Sequence, residues 1–477
     1  MMFRTLVAAP LFAALLAPLP AAAQSVSQEE IDTRYDRALA AGYMALFLCS
    51  ALANAERAGT TRSPESVMEW ELTGIQSPLD KIVEALPYQI NREPQGASNN
   101  PQVASVAVRW ADDMRPRIAL HNSQDGCNLL PIEGVPPPFR ASRPRSSDDR
   151  ASAAREFSFV LGTQKGMIDS PADALDEVFE NALEQRYGDE TRTTAVLVHT
   201  PQGADGTVER AYYRAGFNEH TPQRTWSVAK SIAATLVGAA VQRGETDVAR
   251  SAGLGENADD PRRAITIDHL LRMASGRYSD TPGNRTDALY FGGSTVEETA
   301  LHWPVVHTPG STYRYANNDT LAAVMAIDDT FESHPPAELF AKLGMTATVA
   351  ETDWQGDYVL SSQVWSNARD LARFGQLYLD DGLWNGERIL PEGWTQYVSS
   401  PSGPQPDGPF GYGAGFWLLN NSEGVPQDTY AAMGNRGQYV VIVPSRDVVL
   451  VRRGEDPTGS RFDIAAFTRD VLAALGD

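Results

Sequence analysis

At 477 residues the chain is long enough to bury a large core and to form more than one folding unit. Its 42% hydrophobic and 21% charged residues suit a water-soluble globular protein, and a net charge of −21 argues against nucleic-acid binding, which needs a basic face.

The first 23 residues, "MMFRTLVAAPLFAALLAPLPAAA", combine Arg4, an apolar segment and a small-residue run. They read as a secretory signal, so export to a periplasmic or extracellular space is expected. In such a compartment Cys49 and Cys127, the only cysteines, are expected to form a disulfide, the alternative being two buried thiols. The uncharged run Ala38–Ala55 meets the minimum length for a membrane span, but alanines, Gly42, Ser50 and Asn54 dilute it. With Ser27 and Glu30 as a capping box ahead of it, it is expected to be a buried helix of a soluble protein. Residues 24–131 therefore read as a small accessory domain, and the Pro-, Ser- and Arg-rich stretch 132–160 as a linker.

From 161 onward the patterns change. "SPADALDEVFENALEQRYG" predicts an amphipathic helix capped by Ser170 with Pro171 at its first position. "TTAVLVHTPQGADGTVERAYYRAG" predicts a β-hairpin, and helical patterns dominate from Ser227 to about Leu379. "GQYVVIVP" and "DVVLVRRG" predict a second strand pair, and "FDIAAFTRDVLAALG" a closing helix. Strands at both ends with helices between them imply an α/β (α+β) domain with one sheet built from the two ends and an inserted helical lobe.

The chain has only four lysines, Lys81, Lys165, Lys230 and Lys342. One of them stands three residues after Ser227 at the start of an apolar helical run, "WSVAKSIAATLVGAAV". Arginine stays protonated in proteins, whereas a desolvated lysine can lose its proton and act as a base. At i,i+3 the two side chains share a helix face, so Lys230 could take the proton of the Ser227 hydroxyl and create a nucleophile. Trp226 would help desolvate the amine. Later, "TYRYANND" supplies Tyr315 as a proton relay and Asn317 as a hydrogen-bonding partner for lysine and substrate. "AAMGNRGQYVVIV" places Gly434 and Gly437 at the start of a strand, where a backbone N–H could donate to an oxyanion. "GYGAGFW" would line the cleft with Phe416 and Trp417.

The order S-x-x-K, Y-x-N and a glycine-bearing strand resembles the serine β-lactamase and penicillin-binding family. It is most similar to the branch of class C-like esterases, D-aminopeptidases and 6-aminohexanoate-oligomer hydrolases. The likeness spans about residues 165–477 and includes "TIDHLLRMASG", "FAKLGMT" and "NARDLARFGQLYLDDGLWNGERILPEGW". It implies a β-lactamase-like fold, an antiparallel sheet flanked by helices with an all-helical lobe beside it. It further implies acylation on Ser227, Lys230 as its base, Tyr315 as relay and water activator, and Asn317 as a positioning donor. The oxyanion hole it implies is the amides of Ser227 and Gln438.

One departure shapes the substrate. Where the family has K-T-G or H-x-G, this chain has Asn435, Arg436 and Gly437. The first position thus lacks the cation that holds a β-lactam or peptide carboxylate, and strand alternation would turn Arg436 away. Hydrolysis of esters or small amides is therefore expected ahead of β-lactamase or D-Ala carboxypeptidase activity, with a non-catalytic binding protein as the reading from another class. No G-x-S-x-G elbow is present, and His199, His269, His302 and His307 have no metal-site spacing. No cofactor, no metal and no membrane span in the mature chain are expected; the partner is a small-molecule substrate.

Overall fold

The structure, a computed structural model, describes residues 25–93, 102–135, 174–203, 206–278 and 286–476. The expected signal sequence, residues 136–160 of the expected linker, and the expected Ser170 and Pro171 cap lie outside these residues. Among the described residues, six helices have nine or more residues: α1 (Gln28–Arg57), α2 (Ala174–Leu183), α3 (Val228–Gln242), α4 (Asn317–Met325), α5 (Ala368–Leu379) and α6 (Ile464–Leu475).

Residues from the two ends of the 174–476 segment meet in one antiparallel sheet. Its strands are β5 (Thr193–Gly203), β6 (Gly206–Tyr213), β7 (Gly411–Tyr412), β8 (Trp417–Leu418), β9 (Tyr430–Gly434), β10 (Gln438–Val443) and β11 (Val448–Gly454). They lie in the order β7-β8-β9-β10-β11-β5-β6. The expected hairpin and strand pair are its centre, with Leu197 opposite Val451 and Val440 opposite Val451 on the other side. Strand alternation sends Leu197, Val440 and Val451 to one face, where α3 and α5 cover them. Val196, Val441 and Leu450 go to the opposite face under α2 and α6. Both faces are buried, which is why β10 and β11 read as unbroken apolar runs instead of alternating ones.

Residues ahead of the linker form a four-stranded antiparallel meander: β1 (Tyr88–Arg92), β2 (Val103–Val108), β3 (Arg117–Asn122) and β4 (Gly126–Leu129). Helix α1 opens with the expected Ser27/Glu30 capping box and packs along β2, β3 and β4. It is long and apolar enough to cross a membrane, yet its apolar stretch is wholly buried inside the protein. The reason is that α1 has two partners. One side meets the meander, and the other meets Trp226, Tyr290, Phe291, Leu321 and Trp365 of the second half. A helix sandwiched in this way has no polar face to display. At Gly42 the approach is so close that a Cβ would lie 1.9 Å from the Phe291 carbonyl oxygen.

The disulfide Cys49–Cys127 joins α1 to β4. Beside it lies Glu351, fully buried, which accepts from the Cys127 amide (3.1 Å), Asn54 Nδ2 (3.3 Å) and Trp365 Nε1 (3.0 Å). Burial pushes its carboxyl up from 4.5 to about 7, against the opposing pull of the Cys127 and Asn54 hydrogen bonds and of Arg224. Between pH 4.5 and about 7 the folded protein therefore holds a proton that the unfolded chain has released. Raising pH through that window removes stability, by about 3 kcal/mol. Glu351→Gln cannot titrate, so its thermal midpoint should gain on the parent between pH 5 and 7 and run parallel above pH 8. A parent–variant difference that stays constant over that range would refute this assignment.

Candidate active site

A short strand leads into the site. Gln223 and Arg224 pair with Ser366 and Trp365, and the Thr225 amide donates to the Val364 carbonyl at 2.8 Å. The chain then turns through Trp226, whose φ of 50° is left-handed, a conformation a bulky residue holds only when its surroundings impose it. The surroundings are the Arg224 guanidinium 4.2 Å from the indole and Phe47 of α1 at 5.8 Å. This turn presents Ser227 at the head of α3. Ser227 stands at the helix cap but its hydroxyl does not cap the helix. Its Oγ accepts instead from Lys230 Nζ at 3.0 Å.

Lys230 is only 2% exposed. Its Nζ also donates to Asn317 Oδ1 (2.6 Å) and to the Ser361 carbonyl (2.8 Å), so these three acceptors are oxygens of uncharged groups. The Tyr315 ring centroid lies 5.0 Å from the same nitrogen. Asn317 begins α4 and fixes its own orientation by donating Nδ2 to Thr286 Oγ1 at 3.0 Å. Ser361 is anchored through its hydroxyl, 2.6 Å from the Tyr290 hydroxyl. Thus Ser227, Lys230, Tyr315 and Asn317, 90 positions apart at their extremes, come together around one amine.

Ser227, Tyr315 and Asn317 open onto a cleft of about 1350 Å³ that Trp226, Trp417 and Asn435 also help to line. Tyr315 is braced by Trp417 (5.4 Å between ring centroids) and by the edge of Tyr412 (6.2 Å). Phe416, expected beside Trp417 in the cleft wall, is fully buried and packs on Phe374 and Tyr378. Phe416 lies in the bend just ahead of β8 and turns into the core, whereas Trp417 begins the strand and faces the cleft.

The glycine-bearing strand also differs from the expected detail. Asn435, Arg436 and Gly437 form the turn between β9 and β10, with Gly434 paired to Gln438 across it. The turn brings Asn435 to the cleft, not Gln438. Gln438 is fully buried, with Oε1 accepting from Arg453 Nε at 2.7 Å and Nε2 donating to the Gly454 carbonyl. Gly437 has φ 77° and backs onto Arg452 rather than the cleft. Arg436 turns away from the site and is 5% exposed. At the cleft, the amides of Ser227 and Asn435 donate to no other group among the described residues. Gly434 lies tight against the nucleophile turn, since a Cβ there would be 3.1 Å from the Ser227 nitrogen and 2.3 Å from the Thr225 carbonyl oxygen.

Several cleft groups had no sequence signal. Ser361 acts through its carbonyl, which any residue could supply. Asp287 is 9% exposed, lines the cleft and accepts from Gln76 Nε2 at 2.8 Å. Gln76 itself comes from the segment ahead of β1 and reaches the same cleft.

The Beta-lactamase family matches residues 181–474. A 6-aminohexanoate-dimer hydrolase of Paenarthrobacter ureafaciens is 27% identical over 315 residues, covering 58% of this chain and 75% of that protein. Among solved structures, a putative β-lactamase from Bacteroides dorei DSM 17855 superposes with a TM-score of 0.52 at 19% identity, over 64% of this chain and 98% of its own. A putative 6-aminohexanoate-dimer hydrolase from Bacillus anthracis gives 0.51 at 21% identity, over 60% and 79%. The last two share the fold, an antiparallel sheet with helices on both faces. The family match covers more than half of the sequence, and the chain is a serine hydrolase that belongs to the beta-lactamase family.

Proposed function

We propose that the protein is an exported hydrolase of esters or small amides that works through an acyl-enzyme on Ser227. The observation that carries the reading is the buried Lys230 amine, 3.0 Å from the Ser227 hydroxyl and held by two further neutral oxygens. Removing a lysine from water raises the free energy of its charged form, and the role requires the uncharged amine. In that state the contact reverses, with Oγ–H donating to Nζ.

As Oγ attacks the substrate carbonyl carbon, its proton passes to Lys230. The carbonyl oxygen becomes an oxyanion facing the amides of Ser227 and Asn435. Collapse breaks the bond to the leaving group, which takes the proton relayed through Tyr315 and departs as an alcohol or amine. Water then adds to the Ser227 ester, giving its proton to the same Lys230–Tyr315 pair, and the free acid leaves as Ser227 regains its hydrogen.

In the sequence, Asn435 matches the position at which the resembling family carries lysine or histidine, which weights the substrate away from β-lactams and D-Ala peptides. The buried Asp287 in the cleft favours neutral or cationic groups nearby. The relative named for 6-aminohexanoate dimer supports amide bonds of that kind as candidates. Residues 1–23 and the Cys49–Cys127 disulfide support export.

The test is labelling by a fluorophosphonate followed by peptide mass mapping, with a panel of p-nitrophenyl esters and a chromogenic cephalosporin. The expected result is one adduct on Ser227, ester turnover and no cephalosporin turnover, with adduct and turnover lost in Ser227→Ala. An adduct on another serine overturns the assignment. Silence in every assay replaces it with a binding role.

A further inference from the structure

The family match begins at residue 181, yet the turn that carries Asn435 is held from outside it. Arg436 leaves this turn with φ 57° and crosses to the N-terminal half. Its Nη2 donates to the carbonyls of Trp70 and Thr73, both at 2.8 Å. Its Nε lies 2.9 Å from Glu455 Oε2. Trp70 ends the short helix Pro64–Trp70, so the guanidinium meets carbonyls left unpaired where the helix stops.

The same stretch is fastened to the strand end on both sides of this contact. Arg192 Nη2 donates to the Glu69 carbonyl at 2.8 Å and its guanidinium sits 4.2 Å from the Trp70 ring. The Thr458 amide donates to the Gly74 carbonyl at 2.9 Å, and Gly74 packs so tightly on Pro457 that a Cβ would lie 2.8 Å from its Cβ. Underneath, Glu71 is fully buried in a two-pronged pair with Arg62, both contacts at 2.8 Å. Two residues beyond Gly74, Gln76 lines the cleft and holds Asp287.

We infer that Arg436 is a positioning residue and residues 62–76 its socket, so that the N-terminal half sets the place of the Asn435 amide in the transition state. The inference rests on the acyl-enzyme reading above. The physical basis is that Asn435 lies exposed at the tip of a three-residue turn, whose Gly434 end abuts the nucleophile turn while its far end has Arg436 as its side-chain tether. Arg436, the next residue, ties this far end to the carbonyls of Trp70 and Thr73 and to Glu455. Hydrogen bonds to an oxyanion act only at the stage where charge has developed. Loosening the anchor should therefore lower kcat and leave KM in place.

The experiment measures kcat and KM of the full-length protein on a p-nitrophenyl ester, with kcat expressed per active site titrated by fluorophosphonate. Arg436→Lys, which keeps a charge for Glu455 but cannot span two carbonyls, should lose about 10–100-fold in kcat with KM within about threefold. Arg436→Gln should lose at least as much. Should that variant fail to fold because Glu455 is left unpaired, Arg436→Gln/Glu455→Gln removes both charges together and gives the same readout. A titrated kcat within twofold of the parent in the folded variants overturns the inference, whatever happens to the thermal midpoint. So does a loss that disappears once unfolded protein is excluded by titration. Failure of the underlying reading is seen separately, because the parent itself would then take no label on Ser227.

Discussion

Lys230→Met is expected to lower kcat by about 10,000-fold on any ester the protein turns over, with KM nearly unchanged. A positioned base contributes about 100–10,000-fold, and here the same amine serves both acylation and deacylation. Methionine keeps the length of the stem in a site that is 2% exposed. It leaves Asn317 Oδ1 and the Ser361 carbonyl without a donor they now have, at about 1–3 kcal/mol each. Circular dichroism must therefore show a folded variant before the rate is read. Lys230→Arg is the sharper case. It keeps hydrogen-bond donors but cannot be deprotonated, so it should be as inactive as the methionine variant. Residues that act as one unit give non-additive losses, and Ser227→Ala/Lys230→Met should be no slower than Ser227→Ala alone. Arginine at 230 within tenfold of the parent rate would remove the base assignment.

Part of this arrangement is visible in the sequence because periodicity carries it. The i,i+3 spacing of Ser227 and Lys230 specifies a shared helix face, and the structure puts 3.0 Å between their polar atoms. The apolar runs of β10 and β11 mark strands buried on both faces, and the capping box ahead of α1 marks where that helix begins. The burial of α1 is legible as well, though not its cause, since only tertiary packing reveals that a second partner lies opposite the meander. The remaining features depend on contacts that no local pattern encodes. Ser361 contributes a carbonyl. Gln76 reaches the cleft from 151 positions ahead of Ser227. The choice of Asn435 over Gln438 depends on the length of a turn, because a three-residue turn after Gly434 folds position 438 back into the sheet. A shift of one residue exchanges the two faces of a strand. Neighbours also part at Phe416 and Trp417, one in the core and one in the cleft.

Gly434→Ala should cost about 100-fold in kcat, and Gly434→Val about 1,000-fold, while most of the stability survives. Space, not conformational freedom, is what glycine supplies here. An added Cβ would sit 2.3 Å from the Thr225 carbonyl oxygen and 3.1 Å from the Ser227 nitrogen, and both of those atoms are backbone. No side chain can swing aside, so β9 and the nucleophile turn must separate by something near 1 Å. A displacement of that size is enough to lose about 100-fold in rate, and it moves the two proposed oxyanion donors apart. Elsewhere β9 stays paired with β8 and β10. Gly437→Ala makes the contrast. It lies three residues away, has φ 77°, and would drive a Cβ into Arg452 Nη1, which is fully buried and paired with Asp456 at 2.8 Å. Its expected defect is in folding, read as a fall in thermal midpoint, because strain and a disrupted buried ion pair act on the whole sheet. Once folded protein is counted by active-site titration, Gly437→Ala should keep a larger share of the parent kcat than Gly434→Ala. The reverse order would mean that the Gly437 end of the turn, not the Gly434–Asn435 end, abuts the reacting atoms, and Asn435 would lose its role.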